Sequence, residues 1–218
     1  MVKRSVFIAF LCCAVLGGSI DAYASDRSGH WETTVQLFQA DSEDVRGSND
    51  SSVEIDGDVG FGVGVAYNMS NALAFGFDFT YTNPDYKAVF NTDQSGVVSI
   101  DHDMDVYTGQ FSAVWNLMNG PFTPFFRGGI GWTYIDSNVS DGPPVTGCWW
   151  DPWYGYICQN YYDSYDDTSF SYGVGAGVRY EFDNGMFLKG SINHIEIDAD
   201  KGFDPGINSA LFELGWIL

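Results

Sequence analysis

The chain has few basic residues for its length. It carries 9 Lys and Arg against 29 Asp and Glu in 218 residues, which gives a formal net charge of −20 at pH 7. Proteins that bind nucleic acid need basic side chains to neutralise phosphates, and an excess of acidic residues this large leaves no basic patch for that purpose. The composition therefore excludes a nucleic-acid partner.

Long apolar runs are also missing from most of the sequence. Beyond residue 24, no stretch approaches the roughly 20 consecutive apolar residues that a membrane-spanning helix requires. One shorter run lies at the N-terminus, where Lys3 and Arg4 precede apolar residues 6–16 and the small-residue triplet 22–24. This layout predicts a signal peptide, residues 1–24, that is cleaved after Ala24. Residues 25–218 are then expected to form one domain.

Cysteine and histidine are scarce as well. Two of the 4 cysteines, Cys12 and Cys13, lie inside the leader, and the residue before Cys13 is not the small one of a lipoprotein signal, so no lipid anchor is expected. The three histidines are separated in the chain, at His30, His102 and His194. His194 follows Ser191 by three residues, which on a strand places them on opposite faces and disfavours a Ser–His catalytic pair. We therefore expect no enzymatic activity and no cofactor.

The most regular stretch that is present is residues 169–182. Alternate residues from Phe170 to Phe182 form an apolar row with aromatic residues at both ends, whereas the other row contains Gly, Ser, Arg179 and Glu181. Aromatic ends with aliphatic residues between them are the order expected along a strand that faces lipid. Only a helix or a closed sheet satisfies every backbone polar group in lipid, so the stretch predicts a transmembrane β-barrel.

The same alternation recurs eight times along the chain. The predicted strands lie at 31–40, 53–69, 73–81, 107–117, 122–134, 169–182, 187–195 and 210–218. Short connections at 68–71, 118–121 and 183–185 alternate with long ones at 41–52, 83–99, 136–168 and 198–206. The last short connection contains Asn-Gly, which predicts a primed hairpin turn. The pattern as a whole predicts an all-β, eight-stranded antiparallel up-and-down barrel with short periplasmic turns and long extracellular loops.

Aromatic residues of the apolar rows fall at two depths of this barrel. Two such rings of residues are typical of membrane interfaces, where amphipathic aromatic side chains lie among the headgroups. The predicted girdle consists of Trp31, Tyr67, Tyr81, Tyr107, Trp115, Trp132, Tyr134, Tyr172, Tyr180 and Trp216.

The opposite rows carry charged residues that would face the barrel axis. A soluble barrel such as a lipocalin would need the aromatic rows inside, and an eight-stranded interior is too narrow to hold them. Unpaired charges in a narrow lumen are costly, so we expect these side chains to form salt bridges, with a gated ion path as the alternative. The predicted lumen network is Glu32, Asp78, Arg127, Arg179, Glu181, Lys189 and Glu213.

These features resemble the small outer-membrane β-barrel family that includes the OmpA membrane domain, OmpX and OmpW. The resemblance covers residues 25–218 and rests on the leader, the eight alternating strands, the Gly-alternating run 173–177 and the C-terminal segment 211–218. It implies a location in the bacterial outer membrane, and outer-membrane lipid, lipopolysaccharide and the barrel-insertion machinery as partners. Family members usually end on an aromatic residue, whereas this chain ends on Leu218 with Trp216 two residues earlier.

The longest connection, about 136–168, contains the two cysteines that remain after the leader. Cys148 and Cys158 are expected to form a disulfide in an oxidising compartment, and closing the loop should stabilise it by about 2–3 kcal/mol. A metal site would need more ligands than two thiolates, and none is expected. Exposed aromatic clusters often mark a contact surface. The predicted surface-contact residues are Trp149, Trp150, Trp153, Tyr154 and Tyr156.

Three functions remain open at this point. The first is a non-enzymatic outer-membrane barrel whose acidic and aromatic external loops contact surfaces, including a glycan or host-surface ligand, or support envelope integrity. The second is a narrow channel for ions or small solutes. The third is a lipid A-modifying enzyme, because this fold also hosts such enzymes. The acidic residues Asp101, Asp103 and Asp105 are expected above the hydrocarbon, where they either extend a strand into solvent or bind divalent cations.

Overall fold

The computed structural model describes residues 26–46, 52–92, 96–140, 145–151, 155–161, 164–198 and 206–218, so the predicted signal peptide lies outside the described residues. These parts of the chain form β-strands and connections, and within them no helix is long and apolar enough to cross a membrane. The strands are β1 (Trp31–Ala40), β2 (Glu43–Arg46), β3 (Ser52–Ile55), β4 (Val59–Asn68), β5 (Leu73–Thr82), β6 (Asp85–Thr92), β7 (Gly96–Asp103), β8 (Asp105–Asn116), β9 (Phe122–Ser140), β10 (Val145–Asp151), β11 (Gly155–Tyr161), β12 (Ser164–Glu181), β13 (Met186–Asp198) and β14 (Gly206–Ile217).

Eight of these strands close into one antiparallel barrel, in the order β1, β14, β13, β12, β9, β8, β5 and β4. The first and last strands pair with each other, with Glu32 opposite Ile217 and Ala40 opposite Ser209. β1 also pairs with β4, which completes the ring without a free edge. The predicted all-β, eight-stranded antiparallel barrel is confirmed.

Three short turns lie at one end of the barrel, which we call the turn end; the opposite end is the loop end. The turns follow β4, β8 and β12, as the sequence predicts. In the third turn, the Phe182 amide donates to the Met186 carbonyl at 2.9 Å and the Gly185 amide donates to the Phe182 carbonyl at 3.2 Å. Gly185 has a φ of 79°, which favours glycine. The connection is therefore a three-residue hairpin loop and not the primed two-residue turn expected from Asn-Gly.

The long connections contain more strand than the sequence suggests. The predicted strand 53–69 is two strands, β3 and β4, separated at residues 56–58. The predicted loop 83–99 contains β6 and the first half of β7, and these two strands join β2 and β3 in a four-stranded sheet ordered β2, β3, β6 and β7. Within 136–168, β9 continues to Ser140, β12 begins at Ser164, and β10 pairs with β11 as a separate hairpin. Extended segments leaving a barrel satisfy their backbone donors and acceptors by pairing with one another, which explains these additional strands.

Glycines on the inner face make room for long side chains from neighbouring strands. A Cβ atom on Gly64 would lie 2.6 Å from Asp78 Oδ1 and 2.6 Å from Thr34 Oγ1. A Cβ atom on Gly215 would lie 2.2 Å from the ring of Phe187. Opposing side chains thus occupy the space that these inner glycines leave open.

Gly131 makes the closest of these approaches to a neighbouring backbone. A Cβ atom there would lie 1.9 Å from the Gly109 carbonyl oxygen and 2.7 Å from the Gln110 Cα. We expect Gly131→Ala to lower the free energy of unfolding by about 1–3 kcal/mol, because paired strands must move apart. Urea unfolding in lipid bilayers measures this change. Gly190→Ala is the matched control, since no atom lies within 4 Å of its added Cβ. Equal losses in the two variants would contradict the explanation.

Candidate functional site

The lumen contains a continuous chain of alternating positive and negative side chains. Each member lies within salt-bridge distance of the next, from the turn end toward the middle of the barrel. The order along the chain is Arg27, Glu181, Arg179, Glu32, Lys189, Glu213, Arg127 and Asp78. All seven residues of the predicted lumen network lie in this chain, and the structure brings them together with one further residue, Arg27.

Arg179 is the best-connected cation at the turn end. Its guanidinium donates from Nη1 and Nη2 to the two carboxylate oxygens of Glu32 at 2.9 and 2.8 Å, and its Nε lies 2.6 Å from Glu181 Oε1. The ring of Phe187 lies beneath it, with the guanidinium carbon 3.9 Å from the ring centroid. Paired donors of this kind match the geometry of a carboxylate, and the aromatic face adds a cation–π contact. These contacts fix a fully buried arginine in one position.

Lys189 and Arg127 continue the chain toward the middle of the barrel. The Lys189 ammonium lies 3.6 Å from Glu32 and 3.7 Å from Glu213, and Arg127 Nη1 lies 3.7 Å from the other oxygen of Glu213. Arg127 also forms a short ion pair with Asp78. The Asp78 carboxylate accepts further hydrogen bonds from Gln36 Nε2 at 2.6 Å and from the Ser112 hydroxyl at 2.9 Å. Each buried charge therefore has an opposite charge or a donor beside it, as burial requires.

Arg27 is the member that sequence reasoning missed. It precedes β1 and so belongs to no alternating strand, yet its Nε lies 2.8 Å from Glu181 Oε1 and its side chain is fully buried. Its backbone amide also donates to Asn71 Oδ1 at 2.8 Å. Charge balance is the signal that could have found it. The predicted network has four acids and three bases, and a buried network of that composition requires one more cation.

Two cavities lie on either side of the ion pair between Asp78 and Arg127. The larger has a volume of about 180 Å³ and is lined by residues of the loop end, including Val106, Ile135 and Ile197. The smaller has a volume of about 20 Å³, room for roughly one water molecule. Asp78 and Arg127 line both cavities, so this pair separates them.

The structure places the predicted girdle residues on the outward face of the barrel. At the loop end, Phe61, Tyr81, Tyr107 and Tyr134 lie opposite one another on four adjacent strands, with successive ring centroids 5.3, 4.9 and 6.1 Å apart. At the turn end, the rings of Trp31 and Tyr67 lie 5.1 Å apart. The other girdle residues are exposed on the same outward rows: Trp115, Trp132, Tyr172, Tyr180 and Trp216.

The hairpin of β10 and β11 carries part of the predicted surface-contact loop. Its register sets Cys148 opposite Cys158, Trp149 opposite Ile157 and Trp150 opposite Tyr156. The side chains of Trp150 and Tyr156 are 68% and 73% exposed. Trp153 and Tyr154 lie outside the described residues.

The acidic run at 101–105 is divided between two strands of the loop end. Asp101 and Asp103 belong to β7, and Asp105 begins β8 after a break at Met104. Asp103 lies opposite Asp85 of β6. A side-chain hydrogen bond with Asp103, followed by its negative charge, raises the pKa of Asp85. The pKa of Asp85 is thus higher in the folded protein than in the unfolded chain. The contribution of this pair to the free energy of unfolding therefore falls as the pH rises above the ordinary pKa of Asp.

The three histidines make unrelated contacts. His30 Nδ1 lies 3.1 Å from the Leu218 carbonyl oxygen, His102 stacks on Tyr86, and His194 lies 2.9 Å from Asn208 Oδ1 and 3.5 Å from Glu196 Oε1. Among the described residues, the ring nitrogens of His30 and His194 contact a carbonyl, an amide and a carboxylate, none of which is a hydroxyl or thiol nucleophile. Within the described ranges, no group of three or more His, Cys, Asp or Glu residues is arranged to hold a metal ion.

Comparisons with known proteins agree with this architecture. A search of curated proteins finds no match to the sequence. Among solved structures, neisserial surface protein A is 15% identical, with 86% of this chain and 96% of that chain covered and a TM-score of 0.53. OprG from Pseudomonas aeruginosa is 10% identical, with 91% and 99% covered and a TM-score of 0.53. Ail, the attachment invasion locus protein of Yersinia pestis, is 14% identical, with 88% and 99% covered and a TM-score of 0.51.

At these identities the likeness to solved structures concerns the fold alone. The family model for the outer membrane protein beta-barrel domain, however, matches residues 10–216, which is nearly the whole chain. The described barrel closes with eight antiparallel strands and places aromatic rows outside and charged rows inside. The chain therefore belongs to the outer membrane protein β-barrel family of the bacterial outer membrane.

Proposed function

We propose that this chain is a non-enzymatic, non-conducting barrel that presents an aromatic hairpin outside the membrane for contact with another surface. The observation that carries the proposal is the cross-strand pair of Trp150 and Tyr156, which lie opposite each other and expose most of their side chains. Exposed aromatic pairs of this kind are enriched at contact surfaces, because their burial on binding releases water from a large apolar area. A glycan or a host-cell surface is the expected ligand.

The hairpin needs a fixed shape to present these residues, and we propose that a disulfide between Cys148 and Cys158 supplies it. The two residues are directly opposite in the register. Directly opposed residues of antiparallel strands have Cα atoms about 4.5–5.5 Å apart, within the range that a disulfide spans. We expect both thiols to resist alkylation until the protein is unfolded and reduced. Alkylation of the unfolded protein without a reductant would contradict the disulfide.

The ion-pair chain supports the non-conducting part of the proposal. Seven contacts link eight charges from Arg27 at the turn end to Asp78 in the middle. All of these charges are buried except the partly buried Arg127, and a permeating ion would have to break several of the contacts. The cavities on the two sides of the Asp78–Arg127 pair are separate. Steady ion-selective openings of the refolded protein in planar bilayers would overturn this part and favour the narrow channel.

The contacts of the histidines support the non-enzymatic part. His194 has both an amide and a carboxylate beside its ring, and neither neighbour is a nucleophile. A lipid A-modifying enzyme needs a nucleophile or an activated water beside a base. A changed acyl-chain pattern of lipopolysaccharide in cells that overproduce the protein would overturn this part.

Replacing both hairpin aromatics tests the proposed function directly. We expect the double variant Trp150→Ala with Tyr156→Ala to bind host cells or glycans at least about 30-fold more weakly, since aromatic residues at the centre of an interface commonly contribute 2 kcal/mol or more. Binding is measured with the protein in lipid nanodiscs, against cell surfaces, glycan arrays and lipopolysaccharide vesicles.

Tyr86→Ala is the matched control, because it removes an aromatic ring from the other external sheet, where Tyr86 stacks on His102. The control should bind as the unmodified protein does. If the hairpin variant also binds every surface unchanged, the contact proposal is wrong.

A further inference from the structure

The loop-end half of the lumen is an apolar cup with a polar floor. The cup has a volume of about 180 Å³. Its wall includes the buried side chains of Val106, Ile197 and Leu211, and its floor includes Asp78 and Arg127. The ion-pair chain lies beneath this floor, which separates the cup from the turn end. The cup is therefore a dead-end cavity on the side of the external loops.

Two amides in the cup have an atom without a hydrogen-bond partner among the described residues. They are Gln36, through Oε1, and Gln110, through Nε2. Both side chains line the cup and are more than nine-tenths buried. An unsatisfied buried donor or acceptor costs about 1–3 kcal/mol, so a ligand that takes the place of water in the cup is favoured when its polar group pairs with these atoms.

Local packing fixes the position of Gln110. A Cβ atom on Gly129 would lie 2.7 Å from Gln110 Cδ, and a Cβ atom on Gly173 would lie 3.4 Å from its Nε2. The side chain therefore occupies space that two glycines provide, and it does not swing freely in the lumen. Gln36 is held similarly, because its Nε2 donates to Asp78 Oδ1 at 2.6 Å. The two unpaired atoms are thus preorganised for a ligand.

We propose that the cup binds a small uncharged amphiphile: a molecule with one aromatic ring, or an apolar body of similar size, and a hydroxyl or amide group that reaches the floor. The size follows from the volume, because an apolar cavity of about 150 Å³ accommodates benzene. The polar group follows from the floor, because a hydroxyl or an amide both donates and accepts hydrogen bonds. This inference goes beyond the proposed surface contact and does not depend on it.

The charge of the ligand follows from the ion-pair chain. The positive charge of Arg127 is already opposed by Asp78 and Glu213. An anion entering the cup would be desolvated without a free counter-charge on the floor and would also meet Asp41 and Asp56, which line the cup. A cation at the floor would be desolvated beside Arg127. A neutral polar group meets no such penalty. The cup therefore discriminates by charge as well as by size.

Binding of para-fluorophenol and fluorobenzene to the protein in lipid nanodiscs tests the proposal. Both probes have one ring, and only the phenol carries the hydroxyl group. We expect para-fluorophenol to produce saturable NMR shifts of the Val106, Ile197 and Leu211 methyl groups. Gln110→Leu should weaken its binding about 3- to 10-fold, the factor for one neutral hydrogen bond, and should not weaken that of fluorobenzene.

Two further variants separate cup binding from partition into lipid. Leu211→Trp fills the cup and should abolish the saturable shifts, whereas Leu214→Trp, on the outward row, should leave them unchanged. Heat-dependent gel mobility checks that every variant forms the barrel. If the NMR shifts do not saturate, and the methyl groups of Leu214 shift as much as those of Val106, Ile197 and Leu211, the proposal is wrong. An unchanged preference for para-fluorophenol in Gln110→Leu would overturn it too, and that result does not depend on the folding of Leu211→Trp.

Discussion

Replacing Arg179 by methionine should lower the free energy of unfolding by about 3–5 kcal/mol, the range observed when one member of a buried ion pair is removed. Arg179 is the cation that joins Glu32 to Glu181, at 2.8 Å and 2.6 Å. Methionine has a shorter side chain but a similar volume, so the variant removes the charge and the guanidinium contact with the ring of Phe187 with little change in volume. The measurement is urea unfolding of the refolded protein in lipid bilayers.

The expected loss is large because both carboxylates remain buried. Without Arg179, Glu32 keeps Lys189 as a neighbouring cation, at 3.6 Å, and Glu181 keeps Arg27, at 2.8 Å. The lumen network would then have four negative and three positive groups. Adding Glu32→Gln to Arg179→Met restores the balance, and we expect the double variant to recover part of the lost stability.

An exposed ion pair provides the control for this prediction. Lys87 and Asp101 lie 3.9 Å apart on the external sheet, with side chains that are 50% and 75% exposed. Pairs of this kind contribute about 0–1 kcal/mol, because water screens them and the side chains lose entropy on pairing. Lys87→Met should therefore change the free energy of unfolding by less than about 1 kcal/mol. A similarly small loss for Arg179→Met would mean that water reaches the lumen network.

The barrel itself could be predicted because its signal is local. An alternating strand reveals its two faces within a few residues, as 169–182 does, and the apolar row of a lipid-facing strand differs in composition from the buried row of a soluble one. The position of each short turn followed from where this alternation stops. Strand order then required no further information, because an up-and-down barrel pairs each spanning strand with its sequence neighbours.

The external sheets and Arg27 could not be predicted in the same way. β2 and β3 have four residues each and β6 and β7 have eight. They form a sheet because their chain ends leave the barrel at the same end. That proximity results from the closure of the barrel, and the sequences of the four segments do not predict it. Arg27 precedes the first strand, and only contacts with distant residues such as Asn71 and Glu181 place it in the lumen.

The glycines of the inner face connect these observations. The sequence shows that they leave space, but it cannot say whether side chains or water fill that space. The structure gives a different answer at the two ends. At the turn end, Phe187 and the ion-pair chain occupy the lumen, whereas at the loop end a cavity of about 180 Å³ remains. The ion-pair chain therefore lies in the turn-end half of the lumen, and the cup lies in the loop-end half.

Replacing Ile192 by arginine should lower the free energy of unfolding by about 2–4 kcal/mol in bilayers, the cost of an arginine on the lipid face at the membrane midplane. Ile192 is the central residue of β13 and its side chain is 69% exposed on the outward row. The loss arises because the guanidinium would have to remain in hydrocarbon or draw headgroups and water toward it. Urea unfolding in bilayers of defined thickness measures the change.

The same substitution near the interface provides the control. Val59 begins β4 at the loop end and is also exposed on the outward row. An arginine there reaches the headgroups, so Val59→Arg should cost only about 0–1 kcal/mol. Ile192→Leu, which conserves volume and polarity, should also have little effect. If Ile192→Arg costs no more than Val59→Arg, the outward row does not face hydrocarbon, and the aromatic residues at its two ends do not mark the membrane interfaces.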